Sequence, residues 1–518
     1  MTAQPAAAEW IEARSQHFVI YANGDPAAIK RQAEQLERFD SLIRYFNALP
    51  EREGDGSNKL TVYVVADDAA VRRLFGAGGA NIAGFYQGRA SGSVAFTPAQ
   101  GDRQAGANGL QPQIVLFHEY AHHMLLANTA IAVPAWYGEG YAEFLSTARF
   151  DKDVVWVGAA AQHRAYELLM EKGLSAEQLF SLDRGKMSRD QISSLYARGW
   201  LMTHYLTLDP GRKRQLAAYM ASVNAGKPGI EAARAAFGDL RALDKGLSAY
   251  LGKSTLPAYR IPLTRLPEPK VTLRPLRPGE RAMIELRMRS DRGVDSRTAQ
   301  PILAKAAPLG ERYADDPVVQ GWLAEMALDA GRHDLADTAA DRALAIDPKS
   351  AQALVYKAQV QLHRAREAKA IDPAVWKEAR SWLIKANRLD PNDAYALLLY
   401  YLSFGMARTP PTDNAKAALL RAHELVPQDS DLGYAFATQS LIDGRLDDAR
   451  AALRPLPIRR IAAPTAPPPS SSHSSMPARP DLRRSRPPVP GKKMRNRRRR
   501  PRLQSRSRPS SACLRATP

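Results

Sequence analysis

Between Gln111 and Thr147 the chain carries His118-Glu119-Tyr120-Ala121-His122, an H-E-x-x-H pattern set among Ile114, Val115, Leu116, Phe117, Met124, Leu125 and Leu126. A run this apolar reads as a buried helix. On a helix, histidines four apart stand one above the other, so both imidazoles can reach a single ion. Glu119, the next residue round, can then touch a water on that ion without ligating it. Two imidazoles and a carboxylate in an apolar helix need something to satisfy them, and zinc would. After Asn128, a C-cap residue, Pro134 opens a second helix containing Trp136-Tyr137-Gly138-Glu139-Gly140-Tyr141-Ala142-Glu143. Glu139 can bring a carboxylate to the two histidines. Two neutral imidazoles, one carboxylate and an open fourth position make a catalytic rather than a structural zinc set.

The pairing of H-E-x-x-H with a following W-x-x-E-G-x-A-E resembles the gluzincin metallopeptidases of the peptidase MA-like clan, whose aminopeptidase branch reads Trp-Leu-Asn-Glu-Gly-Phe-Ala at the second motif. The resemblance implies zinc held by His118, His122 and Glu139, with Glu119 as general base. The sixteen residues between His122 and Glu139 make a shorter spacing than is usual in that branch, and the shortfall falls in the loop. Ser194-Leu195-Tyr196-Ala197-Arg198-Gly199-Trp200 is similar to the family's Tyr-Glu-Lys-Gly segment, which implies Tyr196 as the donor to a tetrahedral oxyanion. The upstream Gly-x-Met-Glu-Asn motif of the aminopeptidases has no equivalent, so that activity is not supported. The implied reaction is hydrolysis of a peptide or protein substrate by zinc-activated water, with Glu119 passing the proton to the leaving amine.

Each residue also has a plainer explanation. His118 and His122 can be satisfied core groups, Glu139 and Glu143 ordinary helix acids, and Tyr196 a core residue opening an apolar helix. Glu143, one turn after Glu139, is the candidate acceptor for a ligand's free N–H. His123 points off the ligand face and reads as structural.

These side chains need a scaffold. Residues 17–22 and Leu60–Val65 read as strands, 25–48 as an amphipathic helix, and Ser93–Thr97 as a short strand before the motif helix. Gly76–Gly92 reads as a loop, and without G-x-x-x-x-G-K-[ST] it is no phosphate cradle. Residues 150–252 read as helical throughout. Prolines recurring from Pro257 to Pro278 mark a connector. Beyond it, helical pairs ending near Pro317, Pro348, Pro391 and Pro427 resemble tetratricopeptide repeats. The 349–391 unit is longer and is expected to hold an insertion. The fold class expected is an α+β zincin-like domain (1–255), a connector (256–278), an all-α repeat solenoid (279–455) and a disordered basic tail (456–518). Stacked repeats offer a concave surface for a protein partner. The rival to the peptidase is a non-catalytic metal-binding scaffold that assembles partners.

The formal charge of +20 is concentrated at one end: from Leu456 onward seventeen Lys/Arg face one Asp, a net of +16, leaving about +4 for residues 1–455. The tail is Pro, Ser and Arg, cannot bury a core, and has no aromatic residue to stack bases, so nucleic acid is not the expected partner. It reads as an out-of-frame translation of GC-rich DNA. The single cysteine, Cys513, excludes disulfide staples within the chain and leaves the redox compartment open. No apolar run is long enough for a membrane span. No signal peptide precedes the body, which makes a cytoplasmic location the default; the Ala6-Ala7-Ala8 run resembles the end of one and keeps export from a misplaced start as the alternative.

Overall fold

The computed structural model describes residues 9–51, 56–76, 82–100, 111–129, 131–182 and 187–455; the basic tail, the Ala6-Ala7-Ala8 run and residues 77–81 lie outside them. The chain opens with an antiparallel pair, β1 (Trp10–Arg14) and β2 (Phe18–Asn23). Helix α1 (Pro26–Asn47) follows, its first turn set by Pro26 and capped by the Asp25 side chain, which accepts from Ala28 N at 2.9 Å. It leads to β3 (Leu60–Asp67), then α2 (Asp68–Phe75), β4 (Phe85–Gln87) and β5 (Val94–Gln100). Next come α3 (Pro112–Ala127), α4 (Ala135–Ser146), β6 (Arg149–Phe150) and β7 (Val154–Val157). Helices α5 (Ala165–Leu169), α6 (Ala176–Phe180), α7 (Arg189–Leu208), α8 (Lys213–Asn224), α9 (Gly229–Phe237) and α10 (Leu240–Leu251) precede β8 (Tyr259–Pro262) and β9 (Thr272–Pro275).

The strands form a six-stranded sheet of order β4-β5-β3-β2-β1-β9 and a small sheet of order β6-β7-β8. Three expectations change here. The region 150–252 is not helical throughout: Val154-Val155-Trp156-Val157 is β-branched and aromatic, and pairs with both β6 and β8. The proline-rich connector supplies an edge strand to each sheet, β8 and β9, with Pro262 and Pro275 at the strand ends where a missing N–H is tolerated. The glycine-rich stretch contains β4. Gly84 just before it has no room for a side chain, since a Cβ there would lie 2.4 Å from the Val115 side chain, and this closeness seats the sheet edge on α3.

Strand alternation divides the sheet's side chains. Phe18, Ile20, Val62, Val64 and Ala95 face α1 and α3, whereas Val19, Tyr21, Tyr63, Val65, Val94 and Phe96 face the other way. Both faces are covered, which is why the strands read as continuous apolar runs.

The second cover is the helical stack: α11 (Pro278–Asp291), α12 (Ser296–Arg312), α13 (Pro317–Asp329), α14 (His333–Ile346), α15 (Ala351–Glu367), α16 (Pro373–Leu389), α17 (Ala394–Met406), α18 (Asp413–Leu425), α19 (Ser430–Ile442) and α20 (Leu446–Leu453). Asp316, Asp372, Asp393 and Asp429 cap four of them, and Pro317 and Pro373 occupy first turns. Alanines such as Ala336, Ala339 and Ala343 let the paired helices approach closely. The extra length of the 349–391 unit lies mostly in its helices: α15 and α16 are 17 residues each, against 13 and 14 for the pair before. Helices α11 and α13 pack on the sheet, and the turns before α17 and α19 meet loops beside it. Tyr21 meets Trp322 edge-on at 6.3 Å, Tyr63 donates to Asp291, and Arg89 donates to Asp291 O at 2.7 Å. Ala90 N donates to Asp429 at 2.7 Å, and Asn58 bonds Asn392 O at 2.8 Å. Part of the helical stack is thus packed on the chain's own sheet and its β4–β5 loop. Among the described residues no helix is long and apolar enough to cross a membrane.

A buried ionic network ties α3 into this frame. His17 Nδ1 pairs with Glu37 at 2.8 Å and lies 3.5 Å from Asp40; Arg44 donates to Asp40 at 2.8 Å, and Tyr120 of α3 donates to Asp40 at 2.6 Å. Burial disfavours the imidazolium, but the Glu37 bond and the Asp40 and Glu37 charges outweigh it and push His17 up to about 9. A raised basic group stabilises the fold fully below its unfolded value near 6.5 and loses that contribution as pH rises through about 9. Denaturant melts are therefore expected to show a fall on the order of 3 kcal/mol between pH 6.5 and 10, absent in His17→Gln. A wild-type profile flat through pH 9 would contradict a charged His17.

Candidate metal centre

Helix α3 is apolar and buried on most sides, with Phe117 stacked on Phe39 of α1 at 3.8 Å. Its half-buried stripe carries His118, Glu119 and His122. Helix α4 lies against it and is in turn crossed by α7. That crossing is made by glycine. A Cβ on Gly140 would fall 2.3 Å from Gly199 O, and one on Gly199 would fall 2.9 Å from Trp136 O. Backbone touches backbone, which only glycine permits at this distance. The contact also carries Tyr196, three residues before Gly199, towards α3.

The structure brings His118, His122 and Glu139 together. His118 Nε2 and His122 Nε2 are 3.1 Å apart, His122 Nε2 lies 3.2 Å from Glu139 Oε2, and His118 Nε2 lies 3.4 Å from the same oxygen. Bonds of about 2.0–2.1 Å at tetrahedral angles would place donor atoms about 3.3–3.4 Å apart. The set therefore fits zinc in both donor chemistry and spacing. All three side chains are mostly buried yet retain some solvent access, at 13%, 18% and 6% exposure respectively.

Glu119 sits within electrostatic reach of His122 and Glu139; burial pushes its carboxyl up to about 7, His122 opposing and Glu139 assisting. Glu143 faces the other nitrogen of His118, Nδ1, at 3.4 Å. Burial would raise its carboxyl, but Arg164, His163 and His118 together hold it well below the usual range. The Tyr196 ring centroid lies 5.8 Å from that of His118. His123 is apart from this group, sharing a 2.7 Å hydrogen bond with Tyr86 of β4 and stacking on Tyr120. A second group of metal-type donors, His17, Asp40 and Glu51, is taken up by the ion pairs with Glu37 and Arg44 described above.

Two residues at the site were not singled out from the sequence. His163 Nε2 lies 2.9 Å from Glu143 Oε2, and Arg164 grips both Glu143 oxygens at 2.6 and 3.2 Å. They lie on a short 3₁₀ turn, Gln162–Arg164, brought back to α4 by the β6–β7 hairpin. No motif marks them; only the hairpin would have revealed their position.

No protein-family profile matches the chain, and no curated protein does. Solved structures similar to it include a thermophilic TPR protein of Thermus thermophilus, 22% identical, covering 35% of this chain and 94% of its own at a TM-score of 0.28. MamA 41-end of Desulfovibrio magneticus RS-1 is 15% identical and covers 36% of this chain and 99% of its own at 0.27. These are likenesses of helical stacking over about a third of the chain.

The glycine contact gives a direct test. Gly199→Ala must push α7 off α4, at a cost of about 1–3 kcal/mol, read as a lowered denaturation midpoint; an unchanged midpoint would show that the helices do not meet there.

Proposed function

We propose that the chain is a zinc-dependent metallopeptidase of gluzincin type whose helical repeats contact protein. The observation that carries this is the convergence of His118 Nε2, His122 Nε2 and Glu139 Oε2 to separations of 3.1–3.4 Å. Further support comes from the motif helix packing against a mixed sheet whose edge strand β4 is antiparallel to β5, an α+β arrangement of the class the resemblance implies. Zinc held by the three would supply Lewis acidity, lowering the pKa of a water and polarising a carbonyl. Glu119, beside the donors but not among them, takes the proton of an attacking water and delivers it to the leaving amine. Tyr196, whose ring lies 5.8 Å from that of His118, is the residue assigned to donate to the oxygen that gains charge. Glu143 orients His118 through its Nδ1. The substrate is a peptide or protein.

A second reading keeps the metal site and drops turnover: a scaffold protein whose repeats meet a protein partner. The helical stack, which fills α11 to α20 and is the part with the layout of repeat proteins, favours it. Neither reading draws on nucleic acid.

Purified protein is expected to contain one zinc per chain and to cleave an unstructured protein such as casein. Glu119→Gln should retain the zinc and lose turnover by a factor on the order of 10² or more. Equal turnover in Glu119→Gln removes the assigned base; zinc binding with no turnover in the wild type leaves the scaffold.

A further inference from the structure

We propose that Arg164 is the positioning residue of the candidate metal centre, fixing at once the carboxylate behind His118 and the ring of Tyr196. The inference rests on the zinc-site reading above and extends it to a residue outside both motifs. The Arg164 guanidinium donates through Nη2 to Glu143 Oε1 at 2.6 Å and through Nε to Glu143 Oε2 at 3.2 Å. Two parallel charge-assisted bonds set the plane of the carboxylate as well as its place. The oxygen that takes the shorter bond is the one facing His118 Nδ1 at 3.4 Å, while the other also meets His163 Nε2 at 2.9 Å. Glu143, at 2% exposure, has no solvent to orient it.

The same guanidinium lies 5.0 Å from the centre of the Tyr196 ring. That geometry is a cation–π contact, and it touches the one candidate oxyanion donor. One side chain therefore links α4, which carries Glu139 and Glu143, to α7, which carries Tyr196. Its own position is determined from the far side. Gly158, in left-handed backbone at φ 87°, turns the chain out of β7, and its carbonyl meets His204 Nε2 of α7 at 2.9 Å. Arg164 N then closes the 3₁₀ turn on Ala161 O at 2.9 Å. Glu167, 3.8 Å away, adds a second carboxylate to the guanidinium. Lysine could keep the charge but not the paired bonds.

The test is metal binding by the full chain, titrated with Zn²⁺ against a chromophoric chelator and with Co²⁺ alone followed by its visible spectrum. Arg164→Ala is expected to weaken Zn²⁺ binding about 10–100-fold and to shift the Co²⁺ bands, with Arg164→Lys recovering only part of the loss. Folded Arg164→Ala with wild-type affinity and spectrum overturns the proposal. If Arg164→Ala does not fold, Arg164→Lys decides: wild-type behaviour overturns, weakened binding with a shifted spectrum supports. The parent reading fails separately. Wild-type protein that binds zinc but hydrolyses nothing removes the peptidase while leaving the Arg164 effect on metal standing, and wild-type protein that binds no zinc removes both.

Discussion

Everything at the site depends on one constraint: α3 runs through an apolar core while carrying ionisable and hydroxyl side chains that must each find a partner there. The fold answers group by group. Tyr120 is held by Asp40 on α1, His123 by Tyr86 on β4, and His118 and His122 by Glu139 on α4. Glu143 takes the remaining nitrogen of His118. A helix tethered on three sides in this way has little freedom to roll, so its imidazoles present a fixed pair of nitrogens rather than a mobile one. Pre-arranged donors of this kind would not first have to be ordered by a metal that they held.

Distances between backbones, more than side-chain bulk, define the room available. Gly84 lets the sheet edge rest on Val115, and Gly140 meets Gly199 where α4 and α7 cross. Between those contacts the three helices are held close enough for side chains of one or two methylenes to touch. A larger residue at any of the three positions would widen the gap that Glu139 and Tyr196 have to span.

What is legible in the sequence is local. H-E-x-x-H reports its own geometry, since helical spacing places both histidines on one face, and Glu139 and Glu143 are one turn apart on the next helix. Helices opened by Asp-Pro or Asp-Ala caps are equally plain. What escapes notice depends on residues far apart in the chain. β9 finds β1 across more than 250 residues, and four residues flanked by prolines carry no periodicity to announce it. His163 and Arg164 reach Glu143 only because a hairpin folds between them. The lengthening of α15 and α16 reads as an insertion because a helix extended by a turn and a loop of similar length add the same number of residues.

The sheet shared by two hydrophobic cores has a consequence for how the chain comes apart. Tyr21, Tyr63, Val94 and Phe96 are buried against α11 and α13, and residues 9–455 fall within one compact unit. Cutting near residue 255 would strip the outer strand β9 from the sheet and bare those aromatic rings to water, so neither portion is self-sufficient. Loss of the stack and loss of the strands should be a single cooperative event rather than two. Any visiting protein, meanwhile, meets the parts of the stack turned away from the sheet, where Val375, Ile384 and Leu420 are among the exposed apolar side chains.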